Sequence, residues 1–131
     1  MAGSFAVAVT CIDGRTHEPL VRWVREHVGV DHVDLVTQPG ADLTLSTCPR
    51  IVCDTIDERL RVSMSAHAPR AVVIAGHGDC AANPAPEPAQ RRHVADAVRE
   101  VERWGLDLPV IGVWIDVDGA VETIAGAATA L

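Results

Sequence analysis

The chain has no lysine and no tyrosine, one phenylalanine (Phe5) and three tryptophans (Trp23, Trp104 and Trp114). A stacking platform for single-stranded nucleic acid needs more aromatic surface than that. Positive charge is also scarce: eleven arginines stand against eighteen acidic residues, for a formal net charge of -7. A surface of that sign repels phosphate backbones and excludes general nucleic-acid binding. Long apolar runs are missing too. Stretches such as Val110–Ile115 fall far short of the ~20 residues that span a bilayer. Met1–Thr10 has neither a basic n-region nor an apolar core adequate for a secretory signal. The expectation is a cytoplasmic protein with no nucleic-acid or membrane partner. Its four cysteines are then thiols or metal ligands rather than disulfides.

What is present is the pattern of one compact domain over residues 1–131. Short apolar runs alternate with amphipathic stretches. Phe5–Ile12, Asp31–Thr37, Arg70–Gly76 and Val110–Val117 read as strands. Pro19–Val28 reads as a helix with Leu20, Val24 and Val28 on one face. A second helix starts near Pro49 and runs to about Ser63 with Val52, Ile56 and Leu60 as its stripe. A third carries Val94, Ala97, Val98, Val101 and Trp104 and stops at Gly105. Gln38–Cys48, opened by Pro39-Gly40, reads as a polar loop. Asp118-Gly119 turns the chain into a short fifth strand, Ala120–Ile124, and the Ala-rich end reads as frayed or weakly helical. Strand–helix–strand alternation gives an α/β fold, a mostly parallel sheet covered by helices on both faces. Ligands of such sheets sit beyond the carboxyl ends of the strands, where strand order reverses.

Two clusters fall at strand ends. Cys11-Ile12-Asp13-Gly14-Arg15 closes the first strand and His77-Gly78-Asp79-Cys80 closes the third. Cys11, His77 and Cys80 form a zinc-type ligand set with a fourth position open. The alternative is two small buried thiols and a satisfied loop histidine; three soft ligands at two strand ends favour the metal. Asp13 and Arg15, two apart, face the same way in an extended segment and can pair. Arg would then keep the carboxylate ionised and aimed.

Other residues read more plainly. Cys53 is expected in the core of the second helix and Cys48 as a thiol near its start. His17 reads as a loop or helix-cap residue with a proton shuttle as its alternative, and Asp79 as the cap of the turn after His77 with a direct metal role as its alternative. His27, His32, His67 and His93 read as surface or loop histidines. Cys11 and Arg15 are too close for a phosphatase loop. No Cys-x-x-Cys pair, Walker loop, dinucleotide fingerprint or His-Glu-x-x-His is present.

Cys-x-Asp-x-Arg after a first strand, and His-x-x-Cys after a later one, resemble the β-class carbonic anhydrases. Val110–Glu122, with its Asp-x-x-Gly turn, is similar to that family's closing strand pair. The resemblance implies strand order 2-1-3-4 with an antiparallel fifth strand, Zn²⁺ on Cys11, His77 and Cys80, and an Asp13–Arg15 dyad. It implies reversible hydration of carbon dioxide to bicarbonate, zinc acidifying a water. A carbon dioxide analogue such as carbonyl sulfide or carbon disulfide is an alternative substrate. A non-catalytic zinc protein with Asp13 closing the fourth position is another. Departures from the family pattern are Gly14 in place of Ser, Ala81 in place of Gly, and Thr37-Gln38-Pro39-Gly40-Ala41 in place of an Arg-Asn-Ala-Gly stretch. Only four residues precede Phe5, too few for the family's N-terminal arm. A homodimer or larger assembly is expected from uncovered sheet edges, with Val110–Ile124 as its interface.

Overall fold

The computed structural model describes residues 3–126; the rest of the Ala-rich end lies outside them. Five strands form one sheet: β1 (Phe5–Thr10), β2 (His32–Thr37), β3 (Val72–His77), β4 (Val110–Ile115) and β5 (Val121–Gly126), in the order β2-β1-β3-β4-β5. The first four are parallel, and β5 runs antiparallel to β4. This is the order and polarity expected. Every residue of β1, β3 and β4 is buried, as a central parallel sheet covered on both faces requires.

The two faces bury different clusters. Val7, Val9, Val72 and Ile74 pack with Leu45, Ile56, Leu60, Val98 and Val101. Ala6, Ala8, Val73 and Ala75 pack with Leu20, Val24 and Val28. Period-two alternation along the strands divides the residues this way. The first face carries α2 (Ala41–Thr47), α3 (Arg50–His67) and α4 (Glu87–Glu102). The second carries α1 (His17–Val24), which continues as a wider turn over Arg25–Gly29.

Three expectations are corrected. Part of the stretch read as a polar loop, residues 38–48, is helix α2. Pro39-Gly40 does turn the chain, with Gly40 at φ 56° in the left-handed region. Behind it, however, Ala41 and Leu45 stand one turn apart and are both buried. That pair is too short a period to outweigh the Thr- and Ser-rich composition in a sequence reading. Next, α3 runs past Ser63 to His67 and ends on Ala68 in the left-handed region, whose N–H bonds Met64 O at 3.2 Å. Pro69 follows and stops it.

Finally, Cys48 and Cys53 are joined in a disulfide rather than being free thiols. Cys48 ends α2 with a left-handed backbone and Pro49 turns the chain into α3, which brings the two Cα atoms to 5.6 Å, within the span of a disulfide. The β4–β5 hairpin is closed by Asp116, whose carboxylate accepts the N–H groups of Asp118 and Ala120, both at 2.9 Å. No helix among the described residues is long and apolar enough to cross a membrane.

Candidate metal centre

Parallel register between β1 and β3 (Val7 opposite Val72, Val9 opposite Ile74) brings their carboxyl ends side by side. The chain leaves β1 toward β2 on one side and returns to β3 on the other, so the crevice between them is the reversal point of strand order. Cys11 follows β1 directly. His77 is the last residue of β3, and Cys80 comes three residues later, after Asp79 in the left-handed region at φ 55°.

Cys11, His77 and Cys80 are all buried, and one potential ligand atom from each lies within 4.8 Å of the others. The Cys11 and Cys80 sulfurs are 4.0 Å apart. Two thiolates about 2.3 Å from a tetrahedral metal would stand about 3.8 Å apart, so a small closure suffices. His77 Nδ1 lies 2.8 Å from the Gly78 carbonyl oxygen. Its N–H donates there, which leaves Nε2 as the free lone pair. Nε2 is buried and, among the described residues, has no hydrogen-bond partner. An orphaned buried acceptor is costly, and orienting the opposite ring nitrogen on a carbonyl is how metal-binding histidines are held. The residues therefore fit a soft divalent ion. Burial pushes the Cys80 thiol up, while main-chain N–H groups of Ala82 and Asn83 near its sulfur act the other way.

Asp13 and Arg15 do pair, but on a single tight turn (Gly14–Thr16) rather than on an extended segment. The Arg15 main-chain N–H donates to Asp13 Oδ1 at 3.0 Å. Its Nε donates to Oδ1 at 3.0 Å, and its Nη2 to Oδ2 at 2.6 Å. Hydrogen bonds from the Arg15 side chain first, and from its main chain second, hold the Asp13 carboxyl well below the usual carboxylate range. The other edge of the guanidinium reaches Asp79, Nη1 to Oδ2 and Nη2 to the carbonyl oxygen, both at 3.2 Å. Asp79, expected as a turn cap, thus ties the β3 loop to the β1 loop through Arg15.

His17 begins α1, with Nε2 3.0 Å from Cys11 O. His67 and His93 are not plain surface groups. His67 stacks on Phe5 with ring centroids 3.9 Å apart, and its Nδ1 lies 2.7 Å from Asp34 Oδ2.

A buried polar network behind Cys80 escaped the sequence reading. Asn83 Nδ2 donates to Asp42 Oδ2 at 3.0 Å and faces His93 Nδ1 at 3.0 Å. Gln90 Nε2 donates to Asn83 O at 2.8 Å, and Trp114 Nε1 donates to Gln90 Oε1 at 3.0 Å. Asp42 is only 2% exposed, and burial raises its carboxyl. The one available signal was Asn83-Pro84, a polar turn dipeptide inside an Ala- and Pro-rich stretch. A cleft of about 510 Å³ opens beside this network, bounded by Gly78, Asp79, Gln90 and Trp114.

A family model described as "Putative carbonic anhydrase" matches residues 1–125. Among solved structures, one comes from the work on two tetrameric β-carbonic anhydrases of the filamentous ascomycete Sordaria macrospora. It aligns with a TM-score of 0.63 at 11% identity, over 96% of this chain and 84% of that one. The β-carbonic anhydrase CafA of the fungal pathogen Aspergillus fumigatus aligns with a TM-score of 0.49 at 15% identity, over 94% of this chain and 76% of that one. The first of these likenesses shows a shared fold. No curated protein matches the sequence.

Proposed function

The chain belongs to the carbonic anhydrase family whose model it matches, and from that premise we propose that it is a zinc-dependent lyase interconverting carbon dioxide and bicarbonate. In this reading residues 1–131 form one catalytic domain working in the cytoplasm. Cys11, His77 and Cys80 hold the metal, and Asp13 and Arg15 act beside it. The observation that carries the reading is His77 Nε2, buried and without a partner, beside two thiols 4.0 Å apart.

Zinc held there would supply the Lewis acidity that makes a water easier to deprotonate. The chain's own groups set how that acidity is used. Two thiolates neutralise a dication, so they acidify water less than three neutral imidazoles do. Activity therefore rises toward alkaline pH. Arg15 keeps Asp13 ionised and fixed through three side-chain hydrogen bonds. The Asp13 carboxylate accepts the O–H of the attacking oxygen and aims its lone pair at the carbon of carbon dioxide. The products are bicarbonate and a proton released to solvent.

A homodimer or larger assembly belongs to the same proposal. Strand β5 is an open edge, and Val117 beside it is 73% exposed. Uncovered edges and apolar side chains invite a second copy, and the Sordaria macrospora neighbour is a tetrameric β-carbonic anhydrase. Light scattering should give a mass above the 13.9 kDa of one chain, and a monomer at micromolar concentration would oppose it.

Stopped-flow hydration of carbon dioxide, with zinc content measured on the same sample, tests the reaction. Turnover that grows with pH supports it. Zinc-loaded protein that is silent on carbon dioxide but releases sulfide from carbonyl sulfide or carbon disulfide moves the assignment to an analogue. Zinc-loaded protein silent on all three leaves the non-catalytic reading, with Asp13 closing the site.

A further inference from the structure

The network behind Cys80 buries a carboxylate where packing alone would favour an apolar side chain. Among the described residues, no cation lies within hydrogen-bond distance of Asp42. Its partners are Asn83 Nδ2 at 3.0 Å and the Leu43 N–H at 2.8 Å. Taking a charge out of water costs stability unless the charge is well paired. The surrounding backbone is nevertheless shaped to admit it. A Cβ on Gly76, one residue before His77, would lie 2.6 Å from Asp42 Oδ2. Gly40, at the start of α2, packs so that a Cβ would lie 2.9 Å from the Ala82 carbonyl oxygen. Helix α2 is thus fitted against the loop that follows Cys80.

Asn83 is the link between them. It is 1% exposed, and its main-chain N–H donates to Cys80 O at 3.2 Å. Its carbonyl is held by Gln90 at 2.8 Å and its side chain by Asp42. Its own Oδ1 is buried without a partner among the described residues. Helices α2 and α4 therefore converge on the residue that closes the turn after Cys80.

We propose that Asp42 and Asn83 are positioning residues for the metal centre, with Asp42 anchoring Asn83 and Asn83 holding the Cys80 turn so that its sulfur meets the ion. The proposal rests on the reading of Cys80 as a metal ligand. Residues that orient ligands in this way typically change metal affinity by about 10–100-fold when removed.

The test is zinc affinity by chelator competition, together with the thiolate-to-metal charge-transfer absorption of the cobalt-substituted protein. Asn83→Ala and Asp42→Ala should each weaken zinc binding by about tenfold or more and shift the absorption. Asp42→Asn keeps an oxygen acceptor for Asn83 Nδ2 and should recover most of both. Leu45→Ala removes a fully buried side chain from the same helix. It should lower Tm while leaving affinity and absorption at wild-type values, which separates positioning from stability. Should Asp42→Ala fail to fold, Asn83→Ala set against Asp42→Asn decides. Wild-type affinity and absorption in Asn83→Ala would overturn the proposal, as would Leu45→Ala reproducing the losses. Wild-type protein that binds zinc without Cys80 sulfur would overturn instead the site assignment beneath it.

Discussion

Asp13, at the turn that follows β1, and Asp42, in the first turn of α2, flank the candidate metal centre in opposite surroundings. Asp13 sits at the rim, 22% exposed, with a guanidinium clasped on both its oxygens. Asp42 sits beneath, 2% exposed, with two neutral donors and, among the described residues, no cation in reach. Arg15 pulls the first carboxyl down and burial pushes the second up. One residue type is thus an ionised, Arg-paired group at the rim in one place and a buried strut in the other. Pairing, rather than proximity to the metal, separates the two roles.

The largest effect should come from the rim. Asp13→Asn can neither accept in the same way nor hold Arg15, and turnover should fall by about 10²–10⁴-fold with zinc content intact. Stopped-flow assays and elemental analysis on one preparation check this. Wild-type turnover in fully zinc-loaded Asp13→Asn would erase the functional half of the comparison.

Beneath the rim the expected loss is of stability. Asp42→Ala removes the carboxylate acceptor of Asn83 Nδ2 and leaves His93 Nδ1 as its one neighbour among the described residues, which should cost about 1–3 kcal/mol in urea unfolding. Asp42→Asn keeps an acceptor and sheds a buried charge, so at neutral pH it should be close to neutral or stabilising. A larger loss in Asp42→Asn than in Asp42→Ala would show that the charge itself holds the network.

Acid titration sharpens the contrast because the two signs oppose each other. Asp42 has a raised carboxyl in the folded state. The native protein therefore holds that proton to higher pH than the unfolded chain, and stability falls as pH rises from the ordinary aspartate value of 3.8 toward the folded value. Asp42→Asn should lack that fall, so its stability relative to wild type should climb over the same window. Asp13 is depressed, so its contribution is fully present above 3.8 and fades as pH drops through its folded value. The deficit of Asp13→Asn should therefore shrink only in strong acid. Unfolding curves across pH that show both variants trending the same way would contradict the assigned environments.

Asp79→Ala should have the smallest effect. Its carboxylate and Arg15 are largely exposed, at 74% and 64%, and the Asp79 carbonyl remains as a partner for Nη2. Exposed pairs are weak, so turnover should stay within about fivefold of wild type, measured in the hydration assay. A loss as large as that of Asp13→Asn would mean that Arg15 depends on the β3 loop.

The rim was legible in the sequence and the network beneath it was not, for a physical reason. Cys11, Asp13 and Arg15 are neighbours in the chain, as are His77 and Cys80, and each group follows a strand marked by an unbroken apolar run. Strand order then needs only the short, right-handed crossovers that bring those ends together. Asp42 and Asn83 meet across 41 positions, from a helix whose two inward residues give no period to read and from a loop of Ala and Pro. The Cys48–Cys53 disulfide was missed because its reading rested on redox compartment rather than on local geometry. The turn at Pro49, which brings the two residues together, was visible only as a helix start.

X-ray absorption at the zinc edge on the purified protein tests the central claim most directly. Two sulfur ligands near 2.3 Å and one imidazole nitrogen near 2.0 Å, with a light fourth ligand and about one zinc per chain, are the expected result. The sulfur signal should halve in Cys80→Ser protein that still retains metal. Zinc absent from the wild type, or bound with no sulfur neighbour, would contradict the account.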